Sequence, residues 1–142
     1  MSVNAIPAGY HSITPYLIVD DGQAVLQFLE RAFEAELVSM TYGPVNEEGR
    51  RLVGNAEVRV GNSMIMLADA RPGVPANPVM LYLYCDDVDA MHARAVEAGG
   101  TEVMPPTDMF YGERHGAIAD PSGNSWYIAS RIEELDHDEL QR

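Results

Sequence analysis

Apolar and polar positions along this chain switch between two periods, and the switches mark its elements. Tyr16-Leu-Ile-Val19 is a short β-prone run closed by the turn and cap signal Asp20-Asp21-Gly22. Ala24, Val25, Phe28, Leu29, Ala32 and Phe33 then recur at helical spacing and form one apolar stripe. A strand over 35–40 follows, then a polar loop over 43–51 punctuated by Pro44 and Gly49. Over 56–60 the period is two, with Ala56, Val58 and Val60 on one face and Glu57 and Arg59 on the other. Gly61-Asn62-Ser63 reads as a hairpin turn into a strand over 64–68. Pro72, Gly73, Pro75 and Pro78 make 70–78 a stiff, helix-averse connector.

After the connector the pattern restarts. Residues 81–85 form a strand, Asp86-Asp87 a cap, and 88–98 a helix ended by Gly99-Gly100. An offset of 66 residues lays Tyr16-Leu17 on Tyr82-Leu83 and Asp20-Asp21 on Asp86-Asp87. Gly61-Asn62-Ser63 returns as Gly123-Asn124-Ser125, at an offset of 62. The ordered recurrence predicts an α+β fold of two tandem βαβββ modules, 12–69 and 79–131, joined by 70–78. An open, cup-shaped mixed β-sheet with helices on its outer face is expected. Residues 132–142 read as an acidic, solvated tail with at most a last helical turn.

Composition narrows the chemistry. At 142 residues the chain suits one compact unit, and 46 % apolar with 22 % charged residues is ordinary for a folded protein. The formal charge of −13 argues against a nucleic-acid partner, since such a surface repels phosphate. All nine basic residues are arginine, which excludes a lysine Schiff base and a P-loop lysine. One cysteine, Cys85, leaves no intrachain disulfide and no four-cysteine zinc site, and its strand position reads as structural. No signal-peptide pattern and no membrane-length apolar run is found, so a soluble, cytoplasmic protein with no membrane partner is expected.

Particular stretches carry a family likeness. Ile13-Thr-Pro-Tyr-Leu-Ile-Val19, Glu57 to Asp69, Met104-Pro-Pro106, Tyr111-Gly112 and Asp120-Pro-Ser-Gly-Asn-Ser-Trp126 resemble the vicinal oxygen chelate superfamily. That superfamily takes in glyoxalase I, bleomycin-resistance proteins and extradiol dioxygenases, and the likeness is greatest to its PhnB-like subgroup. It implies a small-molecule site, a homodimer and, in metal-dependent members, a His or Glu on the first and last strand of each module. The matching positions here are Thr14, Met80, Ile65 or Met66 according to hairpin register, and Tyr127. None carries a carboxylate or imidazole, so no metal and no cofactor is expected. His11, His92, His115 and His137 are scattered and read as surface residues; His11 or His115 with Glu57 is the one replacement set worth testing.

Strand alternation from Thr14 and Met80 puts Tyr16, Ile18, Tyr82 and Tyr84 on the cavity side, with Leu17, Val19, Leu81, Leu83 and Cys85 under the helices. The ligand-binding candidates are Thr14, Tyr16, Met66, Met80, Tyr82, Tyr84, Phe110, Tyr111, Arg114 and Tyr127. Tyrosine and methionine together suit a small, flat, partly aromatic molecule; the same residues also suit core filling or a subunit interface. Residues 105–114 read as a loop, a lid or dimer contact, from which Arg114 could neutralise an anion. Glu57 is the weak catalytic candidate: desolvation in the cup would raise its pKa, and a plain pair with Arg59 is the alternative. Three readings follow. The first is metal-free binding of a small aromatic molecule, of the sequestration or resistance type. The second is a lyase, isomerase or dioxygenase with an unusual or metal-free site. The third is an assembly module.

Overall fold

The computed structural model describes residues 2–141. Its first half runs β1 (Tyr16–Val19), α1 (Gly22–Phe33), β2 (Glu36–Val45), β3 (Arg51–Val60) and β4 (Ser63–Asp69). The second half runs β5 (Met80–Tyr84), α2 (Val88–Glu97), β6 (Thr101–Asp108), β7 (Glu113–Ala119) and β8 (Ser125–Arg131), followed by the one-turn helix α3 (His137–Leu140). Each half is a βαβββ module with its own open, four-stranded mixed sheet, ordered β1-β4-β3-β2 and β5-β8-β7-β6. The outer pairs β1–β4 and β5–β8 are parallel and the rest antiparallel.

The cap signals act as expected. Asp21 Oδ1 accepts the Ala24 N–H at 3.2 Å and Asp87 Oδ1 the Ala90 N–H at 3.1 Å, so both helices start on an aspartate. Val25, Phe28, Leu29, Ala32 and Phe33 are buried on the helical stripe. Helix α1 ends on Glu34 at φ 55°, where the left-handed turn is taken without glycine. The Glu34 carboxylate receives Arg94 Nη1 of α2 at 2.6 Å.

Two segments expected as loops are strand. β2 continues to Val45, and β6 extends through Pro105 and Pro106 to Asp108. Both strands lie at a sheet edge. The prolines fall within the register shifts Tyr42/Val45 and Met104/Thr107, where a missing N–H costs no ladder bond. The loop expected over 105–114 therefore shrinks to residues 109–112, because Glu113 and Arg114 belong to β7.

One core serves both halves. α1 and α2 pack on each other, and the cluster of buried apolar side chains is continuous from Leu17 to Ile128. Phe33 of α1 lies 5.1 Å from Trp126 of β8, centroid to centroid. Asp120-Pro-Ser-Gly-Asn-Ser-Trp126 is a structural device within this core. Asp120 accepts the backbone N–H groups of Ser122 and Asn124 and the Trp126 indole N–H at 2.9–3.0 Å, while Asn124 Oδ1 accepts the Val79 N–H. No helix among the described residues is long and apolar enough to cross a membrane.

Candidate functional site

Pairing register decides which side chains share the open, helix-free face of each sheet. In the first module Tyr16 stands opposite Met66, and Met66 opposite Glu57. Of the two register alternatives, Met66 therefore takes the open face, and Ile65, 4 % exposed, takes the core. Thr14 is half-buried two residues ahead of Tyr16. The Tyr16 hydroxyl accepts Asn55 Nδ2–H at 2.9 Å.

Glu57 departs from both sequence expectations. Its partners are the Tyr10 hydroxyl and the Ser39 hydroxyl, which donate to its two oxygens. Arg59 instead pairs with Glu36 at 2.9 Å. The Ser39 and Tyr10 donors hold the Glu57 carboxyl below its ordinary range, although burial pushes the other way. Glu57 is thus stabilised as an anion and is a weaker base than desolvation alone would make it. Burial and the facing carboxylate push the Tyr10 phenol up to about 12, so it remains the donor. A chain segment missing from the sequence reading, Pro7 to Tyr10, thus lies on the open face of the first module.

A depressed folded-state pKa adds stability above the unfolded-state value, and the gain disappears as pH falls through the folded value. Glu57→Gln should cost stability at neutral pH, and the deficit relative to the parent should shrink as pH falls below 4.5, its ordinary value. Urea unfolding of both proteins at neutral and acid pH checks this. A deficit that does not change with pH would contradict it.

The open face of the second module is an aromatic and ionisable cluster. Met80, Tyr82 and Tyr84 alternate along β5, 61 %, 38 % and 61 % exposed. Tyr127 of β8 pairs with Tyr82, and their rings lie parallel within 10° at 6.1 Å. From β7 come Glu113 and His115, two residues apart and so on one face. Glu113 accepts the Tyr82 hydroxyl at 2.5 Å on one oxygen and the Tyr84 hydroxyl at 2.6 Å on the other. His115 Nδ1 lies 3.1 Å from the Tyr82 hydroxyl and 3.0 Å from that of Tyr111. Tyr111, His115, Tyr82, Glu113 and Tyr84 therefore form one hydrogen-bonded chain.

The electrostatics of that chain are set by the carboxylate. Burial and then the Glu113 bond drive the Tyr82 phenol upward, and the Glu113 bond leads for Tyr84. Burial acts to raise Glu113, but the two phenol donors, together with His115 and Arg131, bring it below its ordinary range. The site therefore holds a fixed anion beneath neutral phenols. Phe110, 79 % exposed, sits edge-on to Tyr111 at 5.2 Å on the turn above. A cavity of about 370 Å³ is lined by Tyr84, Glu113 and Arg131. Another, of about 340 Å³, lies between Tyr82–Tyr84 and the Val60–Ser63 turn of the first module.

Of the sequence candidates, the fold gathers Tyr82, Tyr84, Tyr111 and Tyr127 in this cluster, with Met80 on the same face and Phe110 beside it. Thr14, Tyr16, Met66 and Glu57 belong to the first module. Arg114 lies on the other side of β7, where it binds Asp89 of α2 at 2.8 Å and Asp108 of β6 at 2.9 Å. That places it away from the cluster, because it neighbours Glu113 and His115 in a strand with a period of two. Sequence reasoning missed Glu113 and Arg131 and weighed His115 only as a metal ligand. The available signal was the alternation Glu113-Arg114-His115, hidden by reading the segment as loop.

His92 and His115, expected at the surface, are 4 % and 5 % exposed. His92 faces β6 and β7: Nε2 lies 2.8 Å from Glu102 Oε1, and the ring packs against Gly116, where a Cβ would come within 2.5 Å of Nδ1. The four positions that family likeness assigns to a metal carry a hydroxyl, two thioethers and a phenol, a donor set that does not fit Ni, Zn, Mn or Fe(II). Among the described residues no three His, Cys, Asp or Glu side chains converge.

Comparison with known proteins agrees with this architecture. The model of the glyoxalase/bleomycin resistance protein/dioxygenase superfamily matches residues 9–128. An uncharacterised protein of Mycobacterium bovis is 32 % identical over 99 % of this chain and 94 % of its own. TnmS3, an antibiotic binding protein from Streptomyces sp., superposes with a TM-score of 0.65 at 24 % identity, covering 91 % of this chain and 99 % of that one. A PhnB protein from Bacillus cereus superposes with a TM-score of 0.62 at 19 % identity, covering 84 % and 99 %.

Proposed function

The chain belongs to the glyoxalase/bleomycin resistance protein/dioxygenase superfamily, and from that premise we propose that it binds a small, flat or aromatic molecule without a metal ion. The observation that carries this reading is the second module's open face, where Tyr82 and Tyr127 stack and Glu113 and His115 are ordered by phenols. Aromatic side chains offer rigid apolar area for a ring, and the convergent polar groups fix its orientation. The antibiotic-binding role stated for TnmS3 supports a sequestration or resistance type of task. The likeness to the PhnB protein supports a place in the PhnB-like subgroup. Exposed Tyr16, Met80 and Tyr84 support a homodimer that shields these faces.

A second reading has one observation in its favour. The chain Tyr111–His115–Tyr82–Glu113 links an imidazole to a carboxylate through a phenol, which is a route for moving a proton at a bound molecule. On that reading the protein is a metal-free lyase or isomerase, and His115 is its base.

Calorimetric titration with a planar hydroxyaromatic probe, with and without chelator, tests the binding reading. Equal saturable binding in both conditions is expected, with the probe recovered unchanged. Tyr127→Ala should weaken it at least tenfold, about 1.4 kcal/mol. Binding that requires metal would overturn the proposal, and conversion of the probe would favour the enzyme.

A further inference from the structure

Glu113 and Arg131 are direct cross-strand partners on β7 and β8 and share the open face. Opposite charges so placed ordinarily pair, yet these do not come within ion-pair distance. Both Glu113 oxygens are turned toward β5, where Tyr82 and Tyr84 hold them. Arg131 is exposed and, among the described residues, has no carboxylate partner. The cavity of about 370 Å³ therefore has a fixed anion, an unpaired guanidinium and the Tyr84 ring as its walls.

We infer that this cavity takes a zwitterionic ligand, an α-amino acid with an aromatic side chain. The inference rests on the proposed small-molecule role of this face. Its ammonium would meet Glu113, its carboxylate the planar fork of Arg131, and its ring Tyr84. A carboxylate already held by two phenols costs little reorganisation on meeting a cation, because its oxygens keep their positions. A guanidinium with no carboxylate partner among the described residues has no ion pair with them to break. The volume lies at the small end of the ~300–1,000 Å³ usual for ligand pockets, which fits one residue better than a large polycycle. A larger cavity of about 440 Å³, lined by Gly43, Arg50, Val53 and Asp69 of the first module, does not compete for the role. Its buried carboxylate, Asp69, is already engaged by Gly22, Val53 and Arg50.

Three isosteric probes separate the charges: L-phenylalanine, phenethylamine (cation only) and 3-phenylpropanoate (anion only). In titration calorimetry at neutral pH, L-phenylalanine should bind at least tenfold more tightly than either of the others. Arg131→Gln, at an exposed position, should bring L-phenylalanine down to the level of phenethylamine. Glu113→Gln should bring it to the level of 3-phenylpropanoate. A singly charged probe that binds as tightly as L-phenylalanine would overturn the inference. If a planar hydroxyaromatic probe binds while none of these three does, only the zwitterion inference fails. If nothing binds, the parent reading fails with it.

Discussion

Asp69→Ala should lower the free energy of unfolding by about 3–5 kcal/mol, the usual cost of stripping one partner from a buried charged network. Asp69 is 3 % exposed at the end of β4. One oxygen accepts the Gly22 N–H at 2.9 Å and Arg50 Nη1 at 3.1 Å; the other accepts the Val53 N–H at 2.6 Å. A single carboxylate thus ties the first residue of α1 to β3 and to the β2–β3 turn. Alanine leaves two buried backbone donors without an acceptor, each a cost of roughly 1–3 kcal/mol. Arg50 keeps its bonds to Asp21 and to the Asp20 carbonyl, which limits the loss. Urea unfolding at neutral pH measures the change, and a loss under about 1 kcal/mol would show that water replaces the carboxylate. Asp69→Asn retains one acceptor oxygen and should fall between the two.

Phe28→Ala tests whether the two modules share a core. Phe28 is 1 % exposed and meets Phe33 edge-on at 5.6 Å. It also reaches the entry to β6, where a Cβ on Gly100 would come within 2.9 Å of its ring. Truncation opens a cavity between the modules and should cost about 3–5 kcal/mol. Trp126, the sole tryptophan, reports from the other module. Its fluorescence transition in urea should move down together with the far-ultraviolet dichroism transition. If the tryptophan transition stays at the parent midpoint while the dichroism transition splits, the modules unfold independently.

Much of the fold is legible in the sequence. The aspartate caps, the stripe from Ala24 to Phe33 and the alternation over 56–60 are local signals, and local hydrogen bonding and burial satisfied them. Edge strands were the weak point. Pro44, Pro105 and Pro106 read as loop because a proline breaks a ladder, but at an edge and within a bulge there is no ladder bond to break. The misreading of 105–114 then spread to the site. It brought Arg114 forward, concealed Glu113 and left His115 weighed only as a metal ligand, since a strand reverses its faces at every residue.

Glu57 shows a different limit. Its neighbours in sequence suggested Arg59 as a partner, whereas Tyr10 and Ser39 reach it from segments 47 and 18 residues away. Sequence by itself determined the two βαβββ halves, the helix and strand faces of β1 and β5, the acidic balance and the lack of metal-binding side chains at the likeness-assigned positions. These follow from periodicity and residue chemistry, which act over a few residues at a time. Only tertiary structure decided that Glu113 turns to Tyr82 and Tyr84, leaving Arg131 without a carboxylate partner among the described residues, and that Asp69 bridges three elements. Those outcomes depend on strand register between segments tens of residues apart, where competing partners differ by a single residue of slip and only the packed chain selects one.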